Sequence, residues 1–172
     1  MLIAFVFFIY FNRFVVLGNR IDNSLSQINV QLKRRADLIP NLIETVKGFA
    51  KHEKAAIKAV TDARKALVSA KGVVDKVKAD RQLESALKTI FAIAEGYPDL
   101  KANTNFLELQ RELSATEDKI AYARQYYNDS ILRFNDLCKK FPGVLFAKLY
   151  GKKPRQYLQI AESEKKRVDV SF

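Results

Sequence analysis

The sequence predicts an all-α protein: an N-terminal membrane helix continuing into an antiparallel up-and-down bundle of three to four long helices. Three observations predict it. The 172 residues include only six glycines and four prolines, and runs of alternating β-branched residues are scarce. Ile21, Leu25, Ile28, Leu32, Ile39, Leu42 and Val46, then Phe49, Ala56, Val60, Ala63 and Leu67, recur in steps of three, four or seven. Such spacing keeps one face of a helix against a partner. Asp99 to Phe141 is a run of 43 residues without Gly or Pro, with a similar stripe.

Residues 1–17 form the expected transmembrane anchor. Five of the first eleven residues are Phe or Tyr, and the first charge is Arg13. Seventeen helical residues reach roughly 26 Å, short of the ~20 residues a bilayer core asks for. Arg13 would snorkel to the headgroups. A secretory signal would place positive charge before the apolar run and a small-residue cleavage site after it, and neither is present. The buried-core-helix alternative suits so aromatic a segment less well. Arg13, Arg20, Lys33, Arg34 and Arg35 all follow the span, so charge bias puts the N-terminus outside and the bundle in the cytoplasm of a single-pass inner-membrane protein.

The bundle is expected over residues 18–164. Its first helix runs from Phe11 to Leu67, kinked but continuous at Pro40, because the stripe keeps its phase across the proline. Only Arg35 and Glu53 interrupt that stripe. Arg35 has two readings: a register-setting or switchable ion pair with Asp118, Glu117 or Asp129 on the second long helix, or a snorkelling side chain at the bundle edge. Gly72 to Ala79 reads as a connection, with Asp80 capping a helix striped by Leu83, Leu87, Ile90, Ala94 and Tyr97. After a loop over 98–104, Asn105 and Glu108 make a weak capping box for the second long helix. Pro142-Gly143 ends that helix. The apolar Val144 to Tyr150, before Lys152, Lys153 and Arg155, either caps the bundle or rests at a membrane interface. Residues 165–172 are expected to be a frayed C-terminal tail.

Charge bounds the partners. The formal net charge is +11, and the part beyond Leu17 carries 29 of the 30 basic and all 19 acidic residues. Lys47, Lys51, Lys54, Lys58 and Lys65 form a stripe off the core face, read either as a docking strip for acidic protein or lipid headgroups or as an ordinary solvated face. Nucleic acid is disfavoured: Trp is absent and no reading module is recognisable. Catalysis is not expected, nor any cofactor, metal or small-molecule substrate. His52 is the only histidine, no second His stands at zinc-binding spacing, and no phosphate loop or nucleophile elbow occurs. Cys138, the single cysteine, is expected to be a packed core thiol.

Several stretches carry a family resemblance: QLKRRADLIPNLIETVKG from Gln31 to Gly48, YPDLKANTNF from Tyr97 to Phe106, and ARQYYND from Ala123 to Asp129. Phe11 to Val15, Lys153-Pro154-Arg155 and the closing Val170-Ser171-Phe172 fit as well. Together they resemble the LemA family over nearly the whole chain. The resemblance implies a bacterial-type membrane protein with one N-terminal span, a helical bundle and no established catalytic activity. It also implies structural roles for Asp37 and Pro40 at a kink, Pro98 and Asp99 at a turn, and Arg124 and Tyr127 inside the bundle. Relatives are associated with membrane proteases, envelope stress and magnetosome membranes. The expected function is a non-enzymatic, membrane-anchored scaffold or adaptor that self-associates as a homo-oligomer. The alternatives are a regulator of a membrane protease, and a basic nucleic-acid binder.

Overall fold

The computed structural model describes residues 2–158, with side chains from Phe5 onward. Within them the regular structure is helical: α1 (Leu2–Phe49), α2 (Lys54–Ser69), α3 (Val73–Ala94), the single turn α4 (Pro98–Lys101), α5 (Thr104–Lys139) and α6 (Gly143–Leu149). The expected tail and the C-terminal motif Val170-Ser171-Phe172 lie outside the described residues. The contacts divide the chain into two compact units: Ser24 to Ala123, and the residues up to Asn23 together with those from Arg124 onward. Helices α1 and α5 contribute to both.

The unit from Ser24 to Ala123 is a bundle built on the sequence stripes. Ile28, Leu32, Ile39, Leu42 and Val46 of α1 are buried, as are Val60 and Leu67 of α2, Leu83, Leu87 and Ile90 of α3, and Phe106, Leu113 and Ile120 of α5. Polar contacts give the directions. Asn29 meets Lys76 and Arg35 meets Asp80, so α1 and α3 run the same way. Helix α2 lies between them in sequence and returns, with the Arg64 Nε donating to the Ala36 carbonyl at 2.8 Å.

α1 passes through Pro40 without interruption. It does not, however, reach Leu67. It stops at Phe49, and the chain reverses through Ala50 to Glu53 before α2 begins. The Ala50 amide bonds to the Val46 carbonyl at 2.8 Å and the Glu53 amide to the Ala50 carbonyl at 3.2 Å, which closes the turn. The seven-residue gap from Phe49 to Ala56 keeps helical phase across the reversal, so a stripe read along one helix is shared by two antiparallel ones. Phe49 itself is exposed.

Other boundaries shift for local reasons. The α2–α3 connection is only Ala70 to Gly72, with Gly72 at φ 86°, where a side chain would be strained. The charged stretch from Asp75 to Lys78 is the outer face of α3's first turns, and Val77 and Ala79 turn inward. Asp80 is therefore mid-helix and buried, not a cap. Before α5 the capping residue is Asn103, whose Oδ1 accepts the Phe106 amide at 3.0 Å.

In the other unit, the start of α1 packs against α6. Tyr10 stacks on Phe146 with ring centroids 4.6 Å apart, and the Tyr150 hydroxyl donates to the Phe7 carbonyl at 2.9 Å. Phe14 meets Phe134 of α5 edge-on. The segment after α6 is irregular and tied to α5 by side-chain amides. Asn135 brackets Arg155, accepting its amide at 2.7 Å and donating to its carbonyl at 2.8 Å, and Asn128 does the same for Leu158. Tyr157 and Leu158 belong to this irregular segment. Among the described residues no helix is long and apolar enough to cross a membrane.

Candidate functional site

The five lysines of the expected stripe line one shallow depression of about 530 Å³. Lys47 comes from the last turn of α1, Lys51 from the reversal, and Lys54, Lys58 and Lys65 from α2. The helix break does not scatter them, since the reversal folds the end of α1 beside the start of α2. Ile57 and Thr61 contribute to the wall, and Asp62 is the one carboxylate there. Lys58 pairs with Asp62 at 2.7 Å. That hydrogen bond raises the Lys58 ammonium above its usual range and lowers the Asp62 carboxyl below its own, each helped by the partner's charge. The remaining lysines leave the depression strongly cationic. Such a surface attracts anions electrostatically. His52, in the same reversal, is exposed.

The second polar site is internal. Arg35 is 2% exposed, and its guanidinium bonds to Asp80 at 3.1 Å and to Glu117 at 3.2 Å, joining α1, α3 and α5. Of its expected partners, Glu117 is present. Asp118 is not: it is exposed, one residue and therefore about 100° further round α5. Asp129 is also exposed. Asp80 went unrecognised as the main partner, although it sits three residues before Leu83 and in phase with Leu87 and Ile90. The other interruption of the α1 stripe, Glu53, likewise finds a partner, accepting the Tyr97 hydroxyl at 2.9 Å. Pro40 is exposed on α1, as is Asp37, while Tyr127 is buried. Cys138 is buried, and burial pushes its thiol above the usual range. Among the described residues no cluster of three or more His, Cys, Asp or Glu side chains is placed to hold a metal ion.

Comparison with known families gives a match over residues 24–172 to the LemA family. The chain belongs to the LemA family. Both polar sites of this LemA protein fall inside the matched region, whereas the aromatic start of α1 precedes it. A similar relative is Protein LemA of Metamycoplasma hominis, 28% identical over 98% of this chain and 79% of its own length. Magnetosome protein MamQ of Magnetospirillum gryphiswaldense is 25% identical over 91% of this chain and 68% of its own length. Magnetosome protein MamQ 2 of Paramagnetospirillum magneticum is 24% identical over 87% of this chain, which spans 64% of that relative's length.

Proposed function

We propose that this LemA protein is a non-enzymatic scaffold held at the cytoplasmic face of a membrane, and that it recruits acidic protein segments to the lysine depression. One observation carries the recruitment reading: five lysines from α1, the reversal and α2 gather at one concavity with a single opposing carboxylate. An acidic peptide fits it better than nucleic acid, because the depression offers no aromatic platform for a base. Membrane attachment is supported by the exposed Phe5, Phe8 and Phe11 at the start of α1, and by relatives named as magnetosome proteins.

The test uses the purified full chain and a fluorescent Glu-rich peptide, titrated at several salt concentrations. Binding is expected to weaken as salt rises and to fall at least tenfold in K51Q/K54Q/K58Q. A single-stranded oligonucleotide of equal charge is expected to bind less tightly. Peptide binding unchanged by the triple substitution, or tighter oligonucleotide binding, would overturn the recruitment reading.

A further inference from the structure

The unit that holds the start of α1 contains a second cavity, of about 760 Å³, along the flank of α1 and the end of α5. Its lining mixes the apolar Ile9, Tyr10, Leu17, Leu137 and Phe141 with Arg13, Arg20, Arg133 and Lys140, and Asp136 is the one acid among them. Lys140 pairs with Asp136 at 2.5 Å, which occupies that carboxylate. Arg13 and Arg133 are exposed and have no ion-pair partner among the described residues. The guanidinium groups of Arg13 and Arg133 among apolar side chains suit an anionic amphiphile.

The surroundings say where that amphiphile comes from. Phe141 is 80% exposed beside the cavity, and Phe5 and Leu149 are each 66% exposed. Helix α6 turns Leu145 and Leu149 outward and Phe146 inward onto Tyr10. The start of α1 and α6 thus present one continuous apolar surface. The Tyr150 hydroxyl, bonded to the Phe7 carbonyl, fastens α6 to α1, and Lys152 and Lys153 follow two and three residues later.

We propose that the groove between α1 and the end of α5 binds an anionic phospholipid of the membrane it rests on, with the phosphate at Arg13 and Arg133 and an acyl chain along Tyr10, Leu137 and Phe141. This rests on the membrane-association reading above and adds to it a defined lipid site. Guanidinium forks match phosphate oxygens in geometry as well as in charge.

The full chain is floated on vesicles of phosphatidylcholine alone and of phosphatidylcholine with phosphatidylglycerol. Preference for the anionic vesicles is expected, and R13Q/R133Q is expected to lower that partition roughly 30-fold. R13K/R133K, which keeps the charge, is expected to retain most of it. The charge-matched pair K51Q/K54Q, on the other unit, is expected to cost only a few-fold. Equal losses from the arginine and lysine pairs would mean diffuse attraction and overturn the site, as would equal flotation on both vesicles. No flotation on either would instead sink the membrane reading itself.

Discussion

The guanidinium of Arg35 lies 3.1 Å from the carboxylate of Asp80, with the two side chains 2% and 6% exposed. Burying two charges costs desolvation that the pair offsets only while both partners remain. Asp80→Ala is therefore expected to cost about 3 kcal/mol, the low end for breaking a buried pair, because Arg35 then keeps only the half-exposed Glu117. Glu117 bonds the same guanidinium from a largely solvated position, so Glu117→Gln is expected to cost at most about 1 kcal/mol. Urea unfolding of the single variants checks the order. Replacing both partners by apolar residues, R35M/D80L, is expected to recover most of the loss. A double variant no more stable than D80A would show that the pair supplies net stability and not mainly register.

Pro40 interrupts the interior of α1 in a different way from Arg35. It is exposed, while its neighbour Ile39 is fully buried. The helix runs through it, so the proline removes a backbone hydrogen bond without adding core packing. An interior proline costs up to about 3 kcal/mol relative to alanine. Pro40→Ala is expected to stabilise the chain by roughly 1–3 kcal/mol in the same urea assay. Loss of stability instead would mean that the path of α1 beyond Pro40 depends on the proline.

Much of the unit from Ser24 to Ala123 was legible in the sequence because burial follows periodicity. Leu32, Ile39, Leu42, Val46, Val60 and Leu67 were all on the expected stripe and are all buried. The break at Phe49 was not legible for the same reason: a reversal that conserves phase leaves the stripe intact, and Gly48 alone was too weak a stop signal. Asp80 was hidden by its type, since an acid after a charged stretch reads as a cap. Asp80 stands on α3, whereas the partners expected for Arg35 all lie on the second long helix. The lysine depression survived the wrong helix boundary, because folding at residues 50–53 keeps both halves of the stripe on the same side. The lipid groove was not legible at all. It needs Arg13 and Arg133 to line one groove, and their separation along the chain carries no periodic signal.

Gly143 fixes the corner between α5 and α6. A Cβ placed there would sit 2.2 Å from the Leu137 carbonyl oxygen and 3.2 Å from its carbon, both backbone atoms that do not swing away. Gly143→Ala is expected to displace α6 and cost about 1–3 kcal/mol, the usual range for overpacking. The displacement should also break the Tyr150–Phe7 hydrogen bond, read as faster hydrogen exchange through α6. Native-like exchange in the variant would show that the corner relaxes without moving α6.

Cys138 reports on the core of the same unit. Burial raises its thiol, and the charges of Lys139 and Lys152 only partly oppose that. At pH 8 the folded chain therefore holds less thiolate than an unhindered peptide thiol, and the thiolate is the form that reacts. Iodoacetamide is expected to alkylate Cys138 at least tenfold more slowly in the folded protein than in urea. The linkage has a definite sign. A raised thiol pKa contributes stability that is fully present below the ordinary thiol value of about 9 and is lost as pH rises through the higher folded value. Unfolding should therefore become easier above pH 9, and Cys138→Ala should remove that alkaline component. An alkaline loss of the same size in the alanine variant would assign it to the tyrosines or lysines instead.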